Sequence, residues 1–81
     1  MKKKLSYKNA IYLESEAIKM VNYSEDDCIL EAKFTNDRTY LYKSVPKKIW
    51  QELLTVIHAD LSAGAFFNRK IKPFYDFVQI R

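Results

Sequence analysis

One glycine, two prolines, one cysteine and one histidine are all that this 81-residue chain holds of four residue types that often define small domains. Each scarcity excludes something. Cys28 has no partner for an internal disulfide, and with His58 the only histidine no Cys/His zinc set can be assembled. So few glycines and prolines leave no flexible linker and no glycine-rich phosphate loop. No apolar run approaches the ~20 residues needed to cross a bilayer. The basic opening, Lys2-Lys3-Lys4, is not followed by the apolar stretch of a signal peptide. An unpaired cysteine without a leader suits a reducing, cytoplasmic compartment. The length allows one domain, and with neither a disulfide nor a metal the core must carry the fold.

What is present is apolar and aromatic: 48% hydrophobic residues, among them six tyrosines, five phenylalanines and a tryptophan. Aromatic side chains bury about 150–250 Å² each and are the natural source of extra stability in so small a core. The net charge of +4 is arranged in blocks. Residues 1–13 carry +4, residues 14–31 carry −5, residues 32–48 return to +4, residues 49–61 carry −2 and residues 62–81 carry +3. Two internal basic segments are thus separated by an acidic one. Such segments can meet phosphates, or they can simply keep a small apolar domain soluble. The first lysines, within a segment 1–14, read as a solvated terminus ahead of a single domain over 15–81.

Periodicity predicts an α+β fold. Residues 16–23, 28–34 and 38–43 read as three strands of an antiparallel meander, joined by the polar clusters Ser24-Glu25-Asp26-Asp27 and Thr35-Asn36-Asp37. In the second strand Leu30, Ala32 and Phe34 share a face; in the third, Tyr40 and Tyr42 do. Pro46 marks the first turn of a helix, with Ser44 or Val45 as its cap, and Ile49, Trp50, Leu53, Leu54 and Ile57 recur at helical spacing to give an apolar stripe that covers the sheet. Ser62 is a candidate N-cap for a second, shorter helix through about Ile71, and Pro73 stops it. Residues 74–80 read as an extended tail, with a closing edge strand as an alternative. Cys28 reads as a small core residue and His58 as a cationic end to the first helix.

Two blocks of this sequence resemble one known family. The run Phe34-Thr35-Asn36-Asp37-Arg38-Thr39-Tyr40-Leu41-Tyr42-Lys43-Ser44-Val45-Pro46 is similar to the central signature of KTSC domains, a Tyr-x-Tyr pair shortly before Val-Pro. The run Ser62-Ala63-Gly64-Ala65-Phe66-Phe67-Asn68-Arg69-Lys70-Ile71-Lys72-Pro73-Phe74-Tyr75 looks like the tail motif of the same family, which is named for the C-terminus of certain lysyl-tRNA synthetases. The likeness spans about residues 15–75. Asp37 stands where a hairpin glycine is usual, and Phe66 stands where tyrosine is common. The resemblance implies a compact α+β domain, with RNA binding as its suggested activity.

The expectation for function is a small non-catalytic module that binds RNA or another nucleic acid. Tyr40, Tyr42 and Tyr75 would stack on bases if their rings are open; if the helix stripe covers them, Tyr40 and Tyr42 belong to the core. Arg38 shares the face of the tyrosine pair. Lys43, Lys47 and Lys48 bracket a helix start, where free N–H groups favour an anion, or else they only coat the helix. Asn68, Arg69, Lys70 and Lys72 form a second polar cluster. Gly64 permits a close approach, by a packing neighbour or by a ligand. No nucleophile, base or metal pattern points to an enzyme, and no cofactor is implied. The alternative is a protein-interaction module, such as a small phage-type regulator or inhibitor of a host protein, using the acidic turn at Glu25, Asp26 and Asp27 or an open sheet edge.

Overall fold

The computed structural model describes residues 8–15 and 17–80, so Lys2, Lys3 and Lys4 lie outside the described residues. Five strands, β1 (Ile11–Tyr12), β2 (Ile18–Ser24), β3 (Ile29–Phe34), β4 (Thr39–Tyr42) and β5 (Phe77–Gln79), form one antiparallel sheet in chain order. Helices α1 (Lys47–His58) and α2 (Ala63–Phe66) fall between β4 and β5, and α2 runs on into a π turn, Phe67–Ile71. The class is α+β as expected, but the sheet has five strands rather than three. β1 is two residues long, too short to show a period, and it pairs with β2 from inside the segment read as a solvated terminus. The tail also closes the sheet: Lys43 N–H donates to the Asp76 carbonyl and Ile80 N–H to the Thr39 carbonyl, both at 2.8 Å.

The register explains which face is covered. Tyr23 opposes Leu30, Leu30 opposes Tyr42, and Tyr42 opposes Phe77, so these four side chains stand on one side of the sheet. Between Ile18 and Met20 the register of β2 slips by one residue. The slip lets Val21 join Ile18 in the core, where simple alternation had grouped Val21 with Lys19 instead.

Helix α1 begins one residue later than the sequence suggests. Pro46 is its cap and no side chain caps it, while the Pro46 carbonyl accepts from Ile49 N–H at 3.0 Å. The expected stripe faces the sheet, with Trp50 and Leu53 buried. Trp50 lies parallel to Tyr23 with ring centroids 5.5 Å apart, and the Tyr23 hydroxyl donates to the Val45 carbonyl at 2.6 Å. Ser62 does cap α2, its hydroxyl oxygen accepting from Ala65 N–H at 3.1 Å. A Cβ at Gly64 would stand 3.1 Å from the Ala17 Cβ, so this glycine serves helix-to-sheet packing.

Only one glycine is available, yet four of the described residues adopt positive φ: Cys28 (54°), Asp37 (65°), Ser44 (57°) and Asp60 (58°). Each closes a turn. Cys28 ends the β2–β3 connection and is exposed, which corrects its expected place in the core: a residue that must turn the chain over cannot also point inward. Asp37 takes the left-handed position of the β3–β4 hairpin, where Asp37 N–H donates to the Phe34 carbonyl and Phe34 N–H to the Arg38 carbonyl. A left-handed backbone is strained for a residue with a Cβ. Ser44→Gly is therefore expected to stabilise the fold by about 0.5–1 kcal/mol, read as a higher urea midpoint; no change, or a loss, would show that the Ser44 side chain offsets its own strain.

Candidate functional site

On the helix side of the sheet, at the end where β3 meets β4, an aromatic cleft of about 440 Å³ opens to solvent. It is lined by Ala17, Phe34, Thr35, Asn36, Tyr40, Tyr42, Lys72 and Phe77. Three chain segments build it. Phe34 ends β3 and Tyr40 lies on β4; their rings meet edge to face at 5.5 Å. Phe77 arrives on β5 and stands edge to face against Tyr40, at 5.2 Å. The π turn supplies Phe67 beneath, 6.0 Å from Phe34 and 5.7 Å from Tyr42, and just past it Lys72, whose Nζ sits 5.1 Å from the centre of the Phe34 ring. A cation over an aromatic face is attracted by the ring quadrupole.

The tyrosine pair divides between the two uses the sequence left open. Tyr42 is only 2% exposed and belongs to the core; burial, with neighbouring Tyr40 adding to it, pushes its phenol up to about 12. It forms the floor of the cleft, and the expectation that it stacks on a base is corrected. Tyr40 is half-buried, leaving part of its ring at the cleft wall, and Phe77 is 54% exposed. Tyr75 is half-buried against the core and does not line the cleft.

The basic segments do not converge as wholes. Lys72 is at the Phe34 end of β3, while Lys47 is at the other end, its Nζ 2.8 Å from Glu25 Oε1 in the β2–β3 turn. A strand of that length separates the two ends by roughly 16 Å. At the start of α1, where a phosphate site was expected, the Lys47 charge is met by Glu25 and no side chain caps the helix. Lys43 and Lys48 are exposed at that same end of the molecule. Asn68 lines a second groove with Glu14, Ser15, Asp60 and Ser62, which shares only Ala17 with the cleft among the described residues. Arg69 and Lys70 are exposed on the π turn, and Arg38 is exposed beyond the hairpin. Near the cleft mouth Lys19 Nζ holds Asp37 Oδ1 at 2.8 Å; that hydrogen bond, then the Lys19 charge, lowers the Asp37 carboxyl below its usual range. Lys72 is the one cation among the described residues that line the cleft.

The sequence reading missed Phe34, Asn36 and Phe77 as members of one site. The first two had been assigned to strand and turn, and Phe77 reaches the site only through the pairing of β5 with β4. Among the described residues no helix is long and apolar enough to cross a membrane. Nor do three or more His, Cys, Asp or Glu side chains gather among them to hold a metal ion.

Six of the eight lining residues come from the two sequence blocks that resemble one family, and comparison with known proteins decides the matter: the KTSC domain family matches residues 14–75. The chain belongs to the KTSC family. A protein of Tsukamurella paurometabola is 39% identical over 61 residues, covering 75% of this chain and 85% of that protein. An uncharacterized protein of Stutzerimonas stutzeri is 35% identical over 63 residues, covering 78% and 83%. The crystal structure of a KTSC domain protein from Yersinia pestis superposes with a TM-score of 0.79 at 28% identity, covering 89% of this chain and 96% of that one. In this KTSC domain the two family blocks meet at the cleft: Phe34, Tyr40 and Tyr42 come from the first, Phe67 and Lys72 from the second.

Proposed function

We propose that this KTSC domain is a non-catalytic module that binds single-stranded nucleic acid, RNA in the first instance, with one base entering the aromatic cleft. The observation that carries the reading is the pairing of accessible rings, Tyr40 and Phe77, with a cation, Lys72, in a cleft of about 440 Å³. That is the size and largely apolar character of a small-ligand site. Rings supply a stacking surface that tolerates any base, and a lysine beside them meets the backbone phosphate. The rest of the polynucleotide would follow exposed cations of the hairpin and the π turn, Arg38, Arg69 and Lys70.

Fluorescence anisotropy of labelled ten-nucleotide RNAs across a salt series tests this. Affinity is expected to fall steeply as salt rises, because each neutralised phosphate releases counterions. Phe77→Ala is expected to weaken binding by roughly five- to a hundred-fold, the range for losing a stacked base, and Lys72→Glu to weaken it and flatten the salt slope. Lys47→Glu should leave affinity nearly unchanged. Absence of binding at ~50 mM salt would defeat the reading. The surface then left to explain is the outer strand, where Phe77, Val78 and the flanking Phe74 and Ile80 are 40–71% exposed. A partner protein could add a strand there, which is the second reading.

A further inference from the structure

We infer that β5 pairs with β5 of a second copy of this chain, giving a weak two-fold dimer with one continuous sheet; this does not depend on the nucleic-acid reading above. The strand order leaves β5 at an end of the sheet, with β4 as its one strand neighbour among the described residues. Lys43 N–H donates to the Asp76 carbonyl and Ile80 N–H to the Thr39 carbonyl, so residues 76, 78 and 80 turn their backbone groups toward β4. Backbone direction alternates along a strand, and the N–H and C=O of Phe77 therefore point outward, to the open edge.

Edges are commonly guarded by lysine, proline or other charges. Phe77-Val78-Gln79 holds none of these, and Asp76 is the one charged residue from Phe74 to Ile80. Phe74, Phe77, Val78 and Ile80 are instead exposed, with Phe77 on one face of the strand and Val78 and Ile80 on the other. The helices stop short of this edge, since Phe77 stands on their side of the sheet and is still more than half exposed. The opposite edge, β1, is only two residues long and lies between Lys8 and Glu14.

A second copy is the occupant this edge fits. Antiparallel pairing about a two-fold axis beside Phe77 brings the edge onto itself, so that each Phe77 N–H meets the carbonyl of the partner's Phe77. Asp76 then stands opposite the partner's Val78, and no like charges are directly opposed. The four apolar side chains expose roughly 400 Å² per copy, about half the ~800 Å² per partner of a stable interface. The dimer is therefore weak and depends on concentration. Its axis crosses the sheet, which leaves both aromatic clefts open on the same face.

Sedimentation velocity of the nucleic-acid-free protein from ~5 to ~500 µM, at ~50 and ~500 mM salt, tests this. Wild type is expected to shift from monomer to dimer over that range. Each copy carries +4, so the shift should persist or strengthen at the higher salt. Val78→Asp sets a carboxylate against the partner's Asp76 at two symmetric places and is expected to weaken the dimer about ten-fold or more. Tyr12→Asp, on the β1 edge, should leave it unchanged. Val78 does not line the cleft, so the dimer and RNA binding can fail separately. A monomer at ~500 µM overturns the proposal and leaves the edge to another protein's strand. So does a dimer that dissolves as salt rises, the behaviour of an acidic turn docked on a basic segment, or one broken by Tyr12→Asp and not by Val78→Asp. Hydrogen exchange on wild type decides if the variant does not fold. The Phe77 amide should become protected as concentration rises, and an exchange rate that does not change with concentration overturns the pairing.

Discussion

Phe67→Ala is expected to remove about 3–5 kcal/mol of folding stability, the usual cost of deleting a buried aromatic ring. Phe67 has no exposed surface, and its ring is the common neighbour of Phe34 and Tyr42. It is placed by the π turn, in which Lys72 N–H reaches back to the Phe67 carbonyl at 2.9 Å. Truncation would leave a void under the cleft and remove the support of its floor. A domain of this size has only about 5–10 kcal/mol in total, so the variant should be largely unfolded in mild denaturant. Urea unfolding followed through Trp50 fluorescence measures the loss. A loss below about 1.5 kcal/mol would mean that the neighbouring rings close the void and that the cleft does not depend on this residue.

The second large effect is alkaline. Tyr23 and Tyr42 are each 2% exposed, and both phenols are pushed up to about 12. Burial is the main cause for both; at Tyr23 the neighbouring Cys28 and Glu25 add to it, at Tyr42 the neighbouring Tyr40. In the unfolded chain a phenol ionises near 10. Between about pH 10 and 12 the unfolded state therefore gives up protons that the folded state keeps, and stability falls as pH rises through that window. Below pH 10 both states hold these protons and the two tyrosines impose no slope. Two units per phenol correspond to roughly 2–3 kcal/mol each at the top of the window. Urea midpoints at pH 8, 10 and 11.5 measure this, with Tyr42→Phe expected to remove about half of the alkaline loss. A flat profile to pH 11.5 would show that these hydroxyls ionise without disturbing the core.

Much of the fold could be read from the chain because its signals are local. The alternation of Leu30, Ala32 and Phe34, the stripe from Ile49 to Ile57 and the Ser62 cap each involve residues within a turn or two of one another. What escaped depends on partners far away in sequence. The two residues of β1 have no period to detect, and the register slip in β2 appears only when Met20 is set against Lys33. The site follows the same division. Tyr40, Tyr42 and Lys72 were named from motif and charge, but Phe77 joins them through the strand partnership of Tyr42 and Phe77. The separation of Lys43 and Lys47 from Lys72 has a reason of topology. In an antiparallel hairpin the far end of β4 returns to the start of β3, which carries Lys43 and Lys47 away from the Phe34 end where Lys72 lies.

Strands that neighbour one another in the sheet are, for the most part, neighbours along the chain, and this bears on the order of assembly. The connections at residues 25–28 and 35–38 close with little loss of chain entropy, so β2, β3 and β4 can zip together early. The partner of β4 on its other side waits at the end of residues 43–76, which hold both helices. Phe77 rides on that late arrival. The recess between Tyr40 and Phe77 is thus completed by the longest loop closure between neighbouring strands of the sheet, the one with the largest entropy cost.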